Sequence, residues 1–307
     1  MPAHHIYQLF GFRLRSTLRF PELTEVMATT GCPDVELAQV STPIADRVCV
    51  NVSAIGANPL AKVEVQQEHY GLRIVDGREV AVWAATAAGL QDARSVLLGR
   101  GIALLSCQRK MWPLHVSAVG STTGAWLFSG QSGAGKSTLA LYLHVRHGLA
   151  HISDDLAIVR HGDSEFLLSP SLGYSRVTPE ALNSVFDEED RTGRAIEQDT
   201  DDKWRFPVNL AGPVGAAPVR GLVILSEQDG GRASMSRLTG ADAVTAIRKA
   251  VYNPIDGYST RTAAETLRFC VDFVNRVPVY QFSRRKSCAE FGTELRPLLD
   301  AMNGCVD

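Results

Sequence analysis

The sequence predicts an α/β protein in two parts, with a small β-rich domain at residues 1–87 and a larger domain at residues 88–307. Short apolar runs bounded by turn residues dominate the first part, which is typical of strands. The second part contains longer helical patterns and a buried strand that leads into a glycine-rich loop. A strand, a helix and a second strand with short connections follow one another there, so a mixed or parallel sheet covered by helices is expected.

The strands of the N-terminal domain are predicted from three short runs and one hairpin. The runs lie at residues 35–37, 48–52 and 63–65. The hairpin joins residues 71–75 to 79–83 through Asp76-Gly77, a dipeptide that tolerates the positive φ angles of tight turns. Because an exposed sheet edge can hold an extended chain, we predict that this domain recognises a peptide.

The larger domain is predicted to alternate helices and strands around the glycine-rich loop. In chain order we expect a helix at 85–109, strands at 113–119 and 124–129, a helix at 139–147, strands at 150–153 and 219–225, helices at 241–252 and 263–276, and a strand at 277–282. Gly148 is expected to end the helix at 139–147. The strongly polar stretch at 185–205 is predicted to be a mobile loop or lid.

Composition excludes several classes of function. A formal net charge of -2 gives no electrostatic reason to expect a nucleic-acid partner. No run approaches the roughly 20 apolar residues that span a bilayer, and residues 1–8 do not resemble a signal peptide. The six cysteines are scattered without CxxC or zinc spacing, as expected for reduced thiols. We therefore expect a cytoplasmic protein with no membrane partner.

Residues 130–138 read GQSGAGKST and match the phosphate-loop pattern G-x-x-x-x-G-K-[ST] at every position. In that pattern glycines let the backbone curl until its N–H groups face phosphate oxygens, and the next helix adds its positive end. A glycine turn that binds nothing is the alternative, but a buried strand before the loop and a helix after it argue against this. The residues expected to bind ATP are Gly130, Ser132, Gly133, Ala134, Gly135, Lys136, Ser137 and Thr138. Lys136 is expected to reach the β- and γ-phosphates, and the Ser137 hydroxyl to ligate Mg²⁺.

Two adjacent carboxylates, Asp154 and Asp155, follow the predicted strand at 150–153. Ligands of open α/β sheets bind at the carboxyl ends of strands, so both acids are expected near the phosphates. One of them could hold Mg²⁺ and the other could accept a proton from an attacking hydroxyl. The alternative is a helix cap or a solvated pair of loop residues.

Four further residues have both a catalytic and a structural interpretation. His115 lies in an apolar strand ahead of the loop, and His151 lies three residues before Asp154. Lys203 and Arg205 could close over phosphates from the polar stretch, or belong to a solvated charged loop.

Three features together resemble the HPr kinase/phosphorylase family, and more closely its smaller relatives, the HPr-kinase-like serine kinases. They are Leu114-His115, the strand that enters the loop at 130–137, and Ile152-Ser153-Asp154-Asp155. The resemblance covers roughly residues 88–285. It implies an HPr-kinase type of core and ATP-dependent phosphorylation of a peptide or protein serine.

The resemblance also implies roles for individual residues. By matching position, Asp154 is the base, Asp155 is the second acid beside Mg²⁺, and His115 lies near the phosphates. Some members act with lasso-peptide biosynthesis enzymes and phosphorylate a precursor peptide near its C-terminus, and the size of this chain resembles that subgroup. Family members often form oligomers, so a homo-oligomer is implied. Residues 219–227 match the family's glycine-rich acidic signature only loosely, so the reverse phosphorylase reaction is not expected.

Functions of other classes remain open from the sequence alone. Residues 222–227 could be a degenerate Walker B strand of a P-loop ATPase, although no LSGGQ-type signature is present. A nucleotide sensor without catalysis is also consistent with the sequence, as is a kinase that acts on a small molecule such as an amino acid. An ATPase should hydrolyse ATP without an acceptor, whereas a kinase should be slow until its acceptor hydroxyl arrives.

Overall fold

The computed structural model describes residues 4–27, 32–55, 58–186, 197–200, 203–208, 216–256, 259–285 and 294–304. The chain divides into two compact units, one of Met1–Pro113 with Tyr252–Thr260 and the other of Leu114–Val251 with Arg261–Asp307. The first unit thus extends beyond residue 87. The division into a recognition domain and a catalytic domain stays a prediction. Within the described ranges, no helix is both long and apolar enough to cross a membrane.

The first unit is built on one twisted sheet, which confirms the β-rich N-terminal region. Its strands are β1 (His5–Leu9), β2 (Phe12–Ser16), β3 (Val35–Gln39), β4 (Cys49–Ile55), β5 (Asn58–Gln66), β6 (Tyr70–Val75) and β7 (Glu79–Ala84). They are ordered β1-β2-β3-β7-β6-β5-β4. Pairing is antiparallel except where β3 lies parallel to β2 and to β7.

The hairpin between β6 and β7 has the predicted turn. Asp76 and Gly77 adopt φ angles of 48° and 65°. The N–H of Arg78 donates to the carbonyl oxygen of Val75 at 3.0 Å and closes the turn. This geometry matches a two-residue hairpin loop with positive φ at both central positions.

The predicted helix at 85–109 is interrupted near its middle. Helix α1 (Ala87–Val96) is followed by a five-residue π-helical turn at Leu97–Gly101 and then by α2 (Ile102–Gln108). A Cβ atom on Gly101 would lie 2.7 Å from Cδ1 of Leu97, so a larger residue there would require the Leu97 side chain to shift. The glycines that weaken the helical pattern therefore mark this irregular turn.

The second unit contains most of the predicted α/β elements. Strand β8 (Trp112–Leu114) comes before these strands and helices in sequence. They are β9 (Ser117–Gly120), β10 (Ala125–Ser129), α3 (Lys136–His147), β11 (Ala150–Ser153), β12 (Ala157–His161), β13 (Phe166–Leu168), β14 (Tyr174–Val177), α4 (Pro179–Val185), β15 (Glu197–Thr200), β16 (Lys203–Pro207), β17 (Ala217–Glu227), β18 (Ser234–Leu238), α5 (Gly240–Ala250), α6 (Ala263–Arg276), β19 (Val279–Arg284) and α7 (Arg296–Met302).

The central sheet of this unit is mixed, as expected. Strand β10 pairs antiparallel with β9 and parallel with β17, and β17 pairs parallel with β19. Strand β11 pairs antiparallel with β9, so β10 and β11 run in the same direction with β9 between them. The carboxyl ends of β10, β11, β17 and β19 consequently lie at one edge of the sheet, where ligands of such sheets bind.

Helix α3 is fixed by apolar contacts on two faces. Leu139 and Leu143, four residues apart, are buried in a cluster with Phe128 of β10 and Val223 of β17. Leu141 is buried in a second cluster formed mainly by α4, β14 and β16. Burial of each leucine is worth about 1.5–3 kcal/mol, and these contacts hold the N-terminus of α3 against the sheet edge.

A small sheet adds β14, β16 and β15 in that order. Residues 203–205 belong to strand β16, in which Trp204 and Arg205 pair with β14 and Lys203 pairs with β15, so the predicted mobile loop is wrong for these positions. The same holds for residues 197–200, which form β15. Residues 187–196 and 201–202 of the predicted lid lie outside the described residues.

Candidate active site

The glycine-rich loop joins β10 to α3 in the order that the motif requires. Gly130, Gly133 and Gly135 have φ angles of 151°, 80° and 83°. Residues with a side chain rarely adopt these angles, so glycine is required at these three positions. The N–H of Ala134 donates to the carbonyl oxygen of Gln131 at 3.1 Å, which tightens the curl.

Lys136, the first residue of α3, folds back over the loop. Its side chain is buried, and Nζ donates to the carbonyl oxygens of Gly130 at 3.2 Å and Gln131 at 3.3 Å. Burial lowers the pKa of this ammonium, while the nearby Asp155 and Asp154 raise it. The lysine thus lies at the mouth of the loop with the predicted acid pair close by.

The carboxylate of Asp154 accepts hydrogen bonds on both oxygens. Oδ1 accepts from the Ser117 hydroxyl at 2.7 Å and from the N–H of Asp155 at 3.1 Å. Oδ2 accepts from the Ser175 hydroxyl and from the N–H of Arg176, both at 2.8 Å. Strands β9, β11 and β14 are therefore tied together at this one side chain.

The Ser137 side chain of the glycine-rich loop lies close to Asp154 and contributes to lowering the pKa of its carboxyl. Burial by itself would raise the pKa of this carboxyl, and the neighbouring His151 opposes that effect. Hydrogen bonds from Ser117 and the N–H of Arg176, together with the nearby Ser137 hydroxyl, also oppose burial, and the pKa of the carboxyl is lowered below its usual value. An ionised carboxylate has about four acceptor sites, so Asp154 is saturated by its neighbours.

His151 is buried directly behind the acid pair. In the described part of the chain, neither ring nitrogen of His151 has a hydrogen-bond partner. Burial is the main reason that its pKa falls to about 4. The ring packs edge-on against His144, with 6.1 Å between ring centroids. His151 is therefore neutral near pH 7.

Asp155 lies at a turn of the backbone that follows strand β11. Its φ of 61° turns the chain into the left-handed region immediately after β11, which is uncommon for a residue with a side chain. Its Oδ2 lies 3.6 Å from Nη1 of Arg176 and 3.7 Å from Nζ of Lys203. About a quarter of the side chain is exposed, so Asp155 is the more accessible of the two acids.

His115 lies beside the same group of charges. Its N–H donates to the carbonyl oxygen of Ala250 at 2.7 Å, which fixes the backbone between β8 and β9. Burial lowers the pKa of the imidazole and the charge of Lys136 lowers it further, whereas Asp155 raises it. A neutral imidazole is therefore favoured next to the loop lysine.

The structure brings together six of the residues that the sequence singles out for chemistry. They are His115, Lys136, Ser137, Asp154, Asp155 and Lys203. The guanidinium of Arg205 lies over the ring of Tyr174, at 5.3 Å from the centroid. The predicted closure of Arg205 over phosphates stays a prediction.

Sequence reasoning missed the residues that hold the acid pair, namely Ser117, Ser175 and Arg176. Ser117 carries a weak signal, since it is a hydroxyl inside an otherwise apolar strand. Ser175 and Arg176 reach the site through β14, about 20 residues further along the chain, and no spacing pattern marks them.

The site offers oxygen ligands. No group of three or more His, Cys, Asp or Glu suited to a metal ion occurs among the residues that the structure describes. Mg²⁺ usually takes one or two carboxylates together with phosphate oxygens and water. The hydroxyl of Ser137 and the carboxylates of Asp154 and Asp155 fit that ion.

Among solved structures, 57 chains are similar to this chain. No protein-family model matches the chain, and no curated protein matches it. The chain is similar to the Hpr(Ser) kinase/phosphatase from Coxiella burnetii, with 12% sequence identity, 62% of this chain covered, 91% of that chain covered and a TM-score of 0.29. These values are too low to establish a common fold.

Proposed function

We propose that this chain is an ATP-dependent kinase that transfers the γ-phosphoryl group of ATP to a serine hydroxyl of a peptide or protein. The observation that carries the proposal is that Asp154 and Asp155, at the end of β11, lie close to Lys136 and Ser137 of the glycine-rich loop. The phosphate-loop motif and the acid pair therefore form one site. A glycine turn with only a structural role would not account for two carboxylates beside the loop.

The glycine-rich loop is proposed to hold the triphosphate. Its backbone N–H groups and the N-terminal end of α3 favour anions, and Lys136 adds a positive charge that is already buried beside them. This charge would stabilise the negative charge that is spread over the γ-phosphoryl oxygens in the transition state.

Asp155, not Asp154, is proposed to accept the serine proton. The acceptor sites of Asp154 are filled by Ser117, Ser175 and neighbouring N–H groups, and its lowered pKa makes it a weak proton acceptor. Asp155 is more exposed and lies at the mouth of the loop. In the proposed step the serine oxygen bonds to the γ-phosphorus, the bond to the β–γ bridging oxygen breaks, and Asp155 takes the hydroxyl proton.

Mg²⁺ is proposed to bind beside Ser137 and Asp154, where ligation by Asp154 would replace one of the hydrogen bonds that this carboxylate now accepts. This exchanges the two acids relative to the roles implied by the family resemblance. When bound, the ion would neutralise charge on the β- and γ-phosphates. Lys203, 3.7 Å from Asp155, supplies a second cation on the acceptor side of the site.

The acceptor is proposed to be a serine in an extended peptide. In the described residues of the first unit, β1 and β4 are the outer strands of the sheet, and Val50 of β4 is half exposed. Such an edge can pair with an extended chain. The family resemblance favours a lasso-peptide precursor, so peptides that end in serine are the first to test.

The proposal is tested by incubating the protein with ATP, Mg²⁺ and serine-containing peptides, including some that end in serine. Phosphopeptides are identified by mass spectrometry, and ADP release is followed with and without peptide. A phosphoserine product together with peptide-stimulated ADP release is expected. ADP release that is equally fast without any acceptor would instead make the chain an ATPase, and a phosphorylated free amino acid would make it a small-molecule kinase.

A further inference from the structure

A large cavity opens beside the glycine-rich loop, on the side away from the acid pair. Its volume is about 970 Å³, near the upper end of the roughly 300–1,000 Å³ found for ligand pockets. Residues 129–134 form one wall, the ends of β17 and β19 form the floor, and α5 forms the opposite wall.

The sheet order separates this cavity from the acid pair. Strand β10 enters the loop, β11 with Asp154 and Asp155 lies to one side beyond β9, and β17 and β19 lie to the other. In-line transfer requires the acceptor hydroxyl opposite the leaving oxygen. With the acceptor at Asp155, the rest of the nucleotide must extend away from it, toward β17 and β19.

The floor of the cavity carries a fixed group of polar side chains. Nε2 of Gln281 donates to the hydroxyls of Ser226 at 3.2 Å and Ser283 at 3.4 Å. These two hydroxyls lie 2.7 Å apart and hydrogen-bond to each other. With Nε2 assigned to these two hydroxyls, Oε1 of Gln281 is left to accept a hydrogen bond at the cavity floor.

A buried cation lies where the cavity meets the loop. Arg284, at the end of β19, is only 4% exposed, and Nη2 donates to the carbonyl oxygen of Ala134 at 3.4 Å. A Cβ atom on Gly135 would lie 2.8 Å from the same Nη2. Glycine at 135 thus lets the guanidinium approach the loop, next to the expected path of the triphosphate.

Resting on the proposed function, we infer that this cavity holds the nucleoside half of ATP, with Gln281 as the residue that selects adenine. Oε1 of Gln281 suits the exocyclic amino group of adenine, whereas guanine presents a carbonyl oxygen at the equivalent position. Leu225, Leu238 and Ala246 supply apolar surface for the base. Arg284 adds positive charge between the base and the loop.

The inference is tested by calorimetric binding of three probes with Mg²⁺, namely ATP, GTP and inorganic tripolyphosphate. Wild type is expected to bind ATP more tightly than either other probe. Gln281→Ala should weaken ATP binding about tenfold or more, reduce the preference for ATP over GTP, and leave tripolyphosphate binding unchanged. Gln8→Ala, at an exposed position of the first unit, is the matched control and should behave as wild type.

A second variant keeps the test valid if Gln281→Ala fails to fold. Thr245 lines the cavity from an exposed position on α5, so Thr245→Phe should narrow the cavity without disturbing the core. It should weaken ATP binding and spare tripolyphosphate. Two results would overturn the nucleoside site: wild type that binds ATP and tripolyphosphate equally, or ATP binding that neither variant changes. Either result would leave the proposed phosphate binding by the glycine-rich loop intact. Wild type that binds none of the probes would overturn the proposed function itself.

Discussion

The hydroxyl of Ser117 donates a 2.7 Å hydrogen bond to Oδ1 of Asp154, so β9 fixes the first acid of the pair directly beside the glycine-rich loop. Ser117 is fully buried and Asp154 is partly buried, and the bond involves a charged acceptor. Hydrogen bonds of this kind are shorter and stronger than neutral ones. The position of the acid pair therefore depends on strand β9 as well as on β11.

Ser117→Ala should destabilise the protein, because Asp154 loses a buried donor that nothing replaces. The expected loss is about 1–3 kcal/mol in the free energy of unfolding, measured by urea denaturation. Ser184→Ala, at an exposed position of α4, is the control and should change stability by less than about 0.5 kcal/mol. Equal stability of the two variants would show that the Ser117 bond contributes little.

Asp155→Asn should retain ATP binding and lose about 10²- to 10⁴-fold in the rate of phosphoserine formation, since removal of a general base has effects of this size. Asp154→Asn should instead lower stability, because four donors lose a charged acceptor. Binding by calorimetry, turnover by ADP release and unfolding by urea separate the two outcomes. A normal turnover rate in Asp155→Asn, with turnover lost in a stably folded Asp154→Asn, would return the role of base to Asp154.

Acid should destabilise the nucleotide-free protein in two steps. The folded pKa of His151 is about 4 and the usual value is 6.5, so between these values the unfolded state binds more protons and stability falls as pH falls. The size of this step is of the order of 2–3 kcal/mol. Below pH 3.8 the lowered pKa of Asp154 adds a second loss.

Substitution of His151 should reduce the loss of stability between pH 6.5 and pH 4. His151→Phe removes the titrating group from a buried position, so urea-denaturation free energies should change less between pH 6.5 and pH 4. His147→Asn, on the exposed end of α3, is the matched control. An unchanged slope in His151→Phe would mean that other groups cause the acid sensitivity.

Lys203→Met should lower the turnover rate more than it lowers ATP affinity. Nζ of Lys203 lies 3.7 Å from Asp155, on the acceptor side of the site, so its charge acts mainly where the transferred group arrives. Lys62→Met, which removes a partly exposed lysine of the first unit, serves as the control. Loss of ATP affinity without loss of turnover at saturating ATP would place Lys203 among the groups that hold the nucleotide.

Much of this fold could be predicted from local patterns. Asp76-Gly77, the buried strand before Gly130 and the helix that ends at Gly148 each follow from the chemistry of a few adjacent residues. The acid pair was found for the same reason, since it directly follows an apolar strand.

The parts that were not predicted depend on residues distant in sequence. Ser175 and Arg176 meet Asp154 only because β14 folds back over β11, and Arg284 meets Gly135 only because β19 pairs with β17. The saturation of Asp154, which changes the proposed roles of the two acids, is likewise visible only from its assembled contacts.

The most direct test of the central claim is phosphoserine formation by wild type, Lys136→Ala and Asp155→Asn under identical conditions, measured by mass spectrometry of the acceptor peptide. A phosphopeptide is expected with wild type and almost none with either variant, and Asp155→Asn alone should still bind ATP. A phosphopeptide formed at the wild-type rate by Lys136→Ala would contradict the claim that the glycine-rich loop and the acid pair form one phosphoryl-transfer site.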